Sequence, residues 1–105
     1  MSELLAGTTG LVVGVANKRS IAWAIARKLD AAGARQVLTF QNERTEGEVR
    51  KLAATLGNCA GVLPLDVQDD AQSAASVEEA ARLLDGRIDT LVHAGDRGED
   101  LLRVE

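Results

Sequence analysis

The sequence predicts a three-layer α/β fold, with a four-stranded parallel sheet in the order 3-2-1-4 and helices on both faces. Three observations carry this expectation. Four short apolar segments alternate with three helical patterns, and Gly, Asn and Asp mark most of the joints between them. The first apolar segment is hydrophobic almost throughout, as a strand covered on both faces must be. Right-handed crossovers between parallel strands then select the order 3-2-1-4. The 105 residues suit one domain spanning residues 1–105.

The first strand is Leu11-Val12-Val13-Gly14-Val15. Ser20 offers a helix N-cap, and Ile21, Ala22, Ile25, Ala26 and Leu29 recur at helical spacing until Gly33 stops the helix. The second strand is Gln36–Gln41, followed by a helix with Val49, Leu52, Ala53 and Leu56 on one side and a Gly57-Asn58 close. The third strand runs from Gly61 to Leu65. Its internal Pro64 removes a ladder donor, which places it at an edge. Val77, Ala80, Ala81 and Leu84 form the apolar stripe of the third helix, ended by Gly86, and Ile88–His93 is the last strand. After His93 the chain turns polar, and residues 100–104 are expected to form a short helix at most. Ending the sheet at strand four would leave Leu91 and Val92 on an open edge.

Composition narrows the function. The formal net charge is -4 with both signs interspersed, so neither a nucleic-acid footprint nor an anionic-membrane surface is expected. The single cysteine, Cys59, excludes an internal disulfide and a multi-cysteine metal site, and fits a reducing compartment. The amino terminus has no basic start followed by an apolar stretch, and no segment approaches the ~20 apolar residues of a membrane span, so a cytoplasmic location is expected. The aromatics are Phe40 and Trp23, which makes the core aliphatic.

The chemistry-bearing segment runs from Gly10 to Ala26: a buried strand, a Gly-containing polar loop, and a helix opening at Ser20. Such a joint aims unpaired backbone N–H groups at the loop, which suits a pyrophosphate. Gly14 allows close backbone approach and Ala22 allows tight packing of helix on strand. The spacing is not G-x-G-x-x-G, so an ordinary strand-loop-helix joint remains the competing reading. Strand two ends Phe40-Gln41-Asn42-Glu43-Arg44. Gln41 is either a solvated turn residue or a neutral partner for an adenosine ribose, and the absence of a cation directly at the strand end favours NAD over NADP. Asp66 and Val67 stand where an adenine would lie, with capping of the third helix as the other role open to Asp66.

Gly14-Val-Ala-Asn-Lys-Arg-Ser20-Ile21-Ala22-Trp23, then Phe40-Gln41-Asn42-Glu43-Arg44, then Leu65-Asp66-Val67 together resemble the bacterial NADH-dependent enoyl-acyl-carrier-protein reductases, members of the short-chain dehydrogenase/reductase superfamily. The resemblance covers roughly residues 3 to 93 and implies the amino-terminal half of a Rossmann-type fold. It implies that Gly14 and Ala16 lie against the cofactor, Ser20 and Ile21 meet the pyrophosphate, Gln41 the adenosine ribose, and Asp66 with Val67 the adenine. After His93 the chain departs from the family, reading Ala94-Gly95-Asp96-Arg97-Gly98, and Gly95 is the residue there placed near the cofactor.

The reductases it resembles use a tyrosine and a lysine on later elements, and this sequence contains no tyrosine. The expectation is therefore a noncatalytic NAD(H)-binding half-Rossmann module, truncated or engineered. The alternative is a self-associating α/β scaffold without a ligand. Homo-oligomerisation, through the strand-four edge or uncovered helix faces, is expected of both. His93, without an evident Ser or Cys partner, reads as structural.

Overall fold

The computed structural model describes residues 6–66, 69–93 and 101–104, with residues 70 and 101–104 described as backbone. The elements in order are β1 (Thr9–Val13), α1 (Ile21–Ala31), β2 (Arg35–Phe40), α2 (Glu43–Ala53), β3 (Cys59–Pro64), α3 (Asp70–Leu83), β4 (Thr90–His93) and β5 (Leu101–Val104). They form one sheet in the order β3-β2-β1-β4-β5. The four strands read from the sequence are parallel and in the expected order.

The carboxyl end departs from expectation. Residues 101–104 form no helix but a strand antiparallel to β4, with Val92 opposite Leu102 and Leu91 opposite Arg103. A single helical turn cannot repay its nucleation cost, whereas the outer edge of β4 offers backbone donors and acceptors that an extended segment satisfies at once. The β4 edge is therefore covered, and the open-edge route to self-association falls away.

Two cores sandwich the sheet. On one face α1 and α2 pack Ala22, Trp23, Ala26, Val49 and Ala53 over Val12, Leu38, Phe40 and Val92. On the other, α3 packs Ala80 and Leu84 over Leu11, Val13 and Val37. β1 is the hub: Val12 pairs with Leu38 on one side and with Val92 on the other. β3 is an edge strand, as Pro64 requires, with Pro64 level with Phe40.

Two stripe residues moved. Ile21 and Val77, expected on buried faces, are the exposed large hydrophobics at 48 % and 42 %. On α1, Ala22, Trp23 and Ala26 are buried, and the Trp23 ring joins Phe40 and Val49 in the core while Ile21, at the first position of the helix, stays outside it. On α3 the buried place goes to Ser76, whose hydroxyl donates to the Pro64 carbonyl. Ser76, Ala80 and Leu84 thus define the buried face, one helical step away from Val77.

Polar contacts tie the layers together. The Asp30 carboxylate, near the end of α1, accepts from the Gly57 and Asn58 amides at 3.1 and 2.8 Å and so fastens the α2–β3 turn. Gly33, at φ +98°, ends α1 with its α-carbon against Ala6, where an added Cβ would stand 3.1 Å from the Ala6 nitrogen. Asp89, just before β4, accepts from the Thr9 amide at 2.9 Å and from Arg87 Nε at 2.8 Å, while Arg87 also donates to the Gly7 carbonyl at 2.8 Å.

The Arg87 guanidinium, joined by the Thr9 amide, holds the Asp89 carboxyl below its ordinary value of 3.8. A depressed carboxyl pKa contributes stability that is fully present above the unfolded value and disappears as pH falls through the folded one. Asp89→Asn should therefore lower the urea midpoint at neutral pH, and the gap from the parent should close progressively once the pH drops below 3.8. Paired urea melts across that range check it, and a gap that is constant with pH would contradict the assignment.

Candidate functional site

Parallel strands bring their carboxyl ends to one edge of the sheet, where ligands of such folds bind. Here Val13 is level with His93, and Phe40 with Pro64, so the segments that follow β1, β2 and β3 leave the sheet side by side. Gly14, Gln41 and Asp66 lie on those segments.

Gly14 turns the chain out of β1 at φ +101°, a conformation in which any side chain is strained. The loop that follows is held by its own hydrogen bonds. Ser20 Oγ accepts from the Ala16 and Asn17 amides, both at 3.0 Å. Asn17 Oδ1 accepts from the Arg19 amide at 2.7 Å, and the Asn17 carbonyl accepts from the Ser20 amide at 3.0 Å. Ser20 occupies the N-cap position of α1, as expected, yet its side chain makes no capping bond to the helix.

That arrangement defines what the loop can offer. A serine hydroxyl has two acceptor lone pairs and one donor. Both lone pairs are used by Ala16 and Asn17, which leaves the Ser20 O–H hydrogen as a donor. The amides of Ile21, Ala22 and Trp23, in the first turn of α1, have no intrahelical acceptor by position. The first turn of α1 carries no acidic residue. The result is a cluster of neutral donors at the positive end of a helix, suited to an anion. Ile21 stands exposed beside them.

The other candidates are distributed along the same edge. Gln41 is exposed directly after β2, and the next residue, Asn42, caps α2 by accepting from the Arg44 amide at 3.0 Å. Asp66 is half-buried: its amide donates to Gln72 Oε1 at 2.7 Å and its carbonyl accepts from Ser73 Oγ at 3.1 Å. The cap of α3 is Asp69, which accepts from the Gln72 amide at 3.0 Å, so the capping role open to Asp66 belongs to Asp69. Val67 and Gly95 lie outside the described residues. His93 is exposed at the end of β4. Cys59 is remote from this edge, at the opposite end of β3, with burial pushing its thiol pKa up. Among the described residues there is no His, Cys, Asp and Glu grouping that could hold a metal, and no helix long and apolar enough to cross a membrane.

Sequence reasoning missed Asn17, whose side chain and carbonyl shape the loop around Ser20. The available signal was an Asn three residues before a Ser in a polar turn, where both side chains favour local backbone bonds.

Comparison with known proteins gives the family. Residues 14–97 match the family model described as enoyl-(acyl carrier protein) reductase. The enoyl-[acyl-carrier-protein] reductase [NADH] of Bacillus cereus is 53% identical over 77 residues, which cover 72% of this chain and 30% of that protein. The [NADPH] reductase of Staphylococcus aureus is 36% identical over 91 residues, covering 86% of this chain and 35% of that one. Among solved structures, the Anaplasma phagocytophilum reductase in complex with NAD superposes with a TM-score of 0.81 at 35% identity, over 90% of this chain and 35% of that one. The Bacillus cereus reductase with NADP+ and an indole naphthyridinone gives 0.75 at 48% identity, over 82% of this chain and 34% of that one. The chain belongs to the enoyl-(acyl carrier protein) reductase family, and it spans about a third of the length of the relatives it matches.

Because Ser20 Oγ is the acceptor for two loop amides, Ser20→Ala should speed hydrogen exchange at Ala16 and Asn17 selectively. It should also cost about 1 kcal/mol of stability. Amide exchange followed by NMR, with a urea melt of the same variant, checks both parts. Unchanged exchange at those two amides would show that the loop does not rely on this hydroxyl.

Proposed function

We propose that this member of the family binds NAD(H) along the carboxyl edge of its sheet and does not reduce a substrate by itself. The observation that carries the reading is Ser20: it accepts from the Ala16 and Asn17 amides, which leaves its hydroxyl hydrogen and the first-turn amides of α1 as donors that suit a pyrophosphate. Gly14 and Ala16 would lie against the cofactor, with Ser20 and Ile21 at the pyrophosphate. Gln41 would meet the adenosine ribose, Asp66 and Val67 the adenine, and Gly95 the nicotinamide end. The Asp66 amide is engaged by Gln72, and Val67 would supply apolar contact to the base.

The preference for NAD over NADP rests on charge. Gln41 is neutral, and Glu43 follows at the start of α2, where its carboxylate opposes a 2′-phosphate. Arg44 is the neighbouring cation that works the other way. When bound, the nicotinamide supplies a hydride, but the tyrosine that the family resemblance calls for is absent from this sequence.

Calorimetric titration of the chain with NADH, NAD, AMP and NADPH tests the proposal. Saturable binding at millimolar ligand is expected, weakest for NADPH. Ser20→Ala should weaken NADH about tenfold, the equivalent of ~1.4 kcal/mol. No heat from any of the four ligands would remove the binding claim, and turnover of an enoyl thioester with NADH would overturn the noncatalytic one.

Self-association keeps one structural support. α3 is the helix that covers its face of the sheet, and it presents Val77 to solvent at 42 % exposure. We propose that two chains pair through this face. Sedimentation should show a concentration-dependent dimer that Val77→Lys weakens, and a monomer at every concentration would refute the pairing.

A further inference from the structure

One side of α1, from Trp23 to Ala31, faces the segment after α2 at Thr55 and Leu56 across a groove of about 510 Å³, within the roughly 300–1,000 Å³ usual for small-ligand pockets. Its position separates it from the carboxyl edge of the sheet: it starts at Trp23 and runs toward Ala31, away from the Ser20 loop.

Its lining is chemically one-sided. Trp23 forms part of the wall while only 5 % exposed. Among the described residues, Gln36 Oε1 is the side-chain N or O atom that is buried without a partner. No described residue accepts the Trp23 indole N–H, and Trp23 lines the groove. Arg27 and Lys28 stand exposed on the rim, and neither forms an ion pair among the described residues. The one acid on the rim, Asp30, has both carboxylate oxygens committed to the Asn58 and Gly57 amides. Leu56 and Ala24 supply apolar surface.

A tryptophan donor, two cations set against the single Asp30 carboxylate, and an apolar wall leave the rim with a net positive charge and select a ligand with one negative charge and an apolar body. We propose that this groove binds a small amphipathic carboxylate, with its apolar body along Leu56 and the Trp23 ring and its carboxylate between the Arg27 and Lys28 heads and the indole N–H. Inorganic phosphate lacks the body to fill the groove, and a cation meets the wrong charge at the rim. The proposal does not depend on nucleotide binding at the sheet edge.

Trp23 is the only tryptophan, so the chain has one indole N–H resonance, and it reports on this groove directly. Octanoate titrated into the full chain should shift that resonance saturably. Octylamine, with the same body and the opposite charge, should not. Arg27→Gln combined with Lys28→Gln should weaken octanoate at least tenfold while leaving the circular dichroism and the calorimetric response to NADH unchanged. An indole resonance that fails to saturate with octanoate, or that responds equally to octylamine, would overturn the proposal. So would undiminished octanoate affinity in the double variant.

Discussion

Everything else in this chain hangs on the two-sided pairing of β1. Val12 is matched with Leu38 in β2 and with Val92 in β4, and all three side chains belong to the core under α1 and α2. A parallel strand bonded on both sides and covered on both faces has almost no freedom of register, since a slip of one residue would exchange its two faces. Fixing β1 fixes the exit points of its neighbours. The carboxyl ends of β1, β2 and β3 then emerge together, and residues far apart in sequence, Gly14, Gln41 and Asp66, share one edge.

The same constraint explains the loop after β1. Val15 is buried at 1 % exposure, so the chain must leave the strand, turn, and still return Val15 to the core before α1 begins. Gly14 makes that possible with a positive φ, and the Ser20 and Asn17 side chains stand in for the backbone partners that a tight loop lacks. A serine that capped its own helix would have spent its oxygen on the first-turn amides. Turned back onto Ala16 and Asn17, it leaves those amides unfilled, so the loop is held by its own hydrogen bonds and keeps its donors. Preorganised donors cost nothing further to order when an anion arrives.

Much of the fold was legible because parallel α/β architecture writes itself strongly: apolar strands, helical stripes, and Gly at the turns. The edge position of β3 followed from Pro64 and from the crossover rule together. What was not legible came from choices made by packing. Of the stripe Ile21, Ala22, Ile25, Ala26 and Leu29, all but Ile21 face the core, and Trp23 joins them there; periodicity cannot show that one large ring is buried beside the stripe while its first residue stays exposed. On α3, the Ser76 hydroxyl gains a carbonyl partner at Pro64, a pairing across twelve residues that no local pattern reveals. β5 was missed for a related reason: residues 101–104 are too few to show a period, and their structure comes from the edge they meet. The candidate site divides in the same way. Gly14, Ser20 and Gln41 were readable from type and position, whereas Asn17 matters through bonds visible only once the loop is folded, and Asp66 lost its capping alternative to a neighbour three residues on.

α1 unites the two surfaces described for this chain and also keeps them apart. Its amino end contributes unfilled amides to the sheet edge. One side of it contributes Trp23, Arg27 and Lys28 to the groove beside α2, while the buried side of the same helix carries Ala22 and Ala26 at no exposure at all. Small residues on that side let the helix lie close to β1 and β2, and Gln36 reinforces the approach by donating from its buried amide to the Ala26 carbonyl at 2.9 Å. A helix pinned this closely cannot roll to favour one surface over the other. Ligands at the two places would therefore act through a rigid body, and any coupling between them has to pass through a change in stability, not through a change in shape.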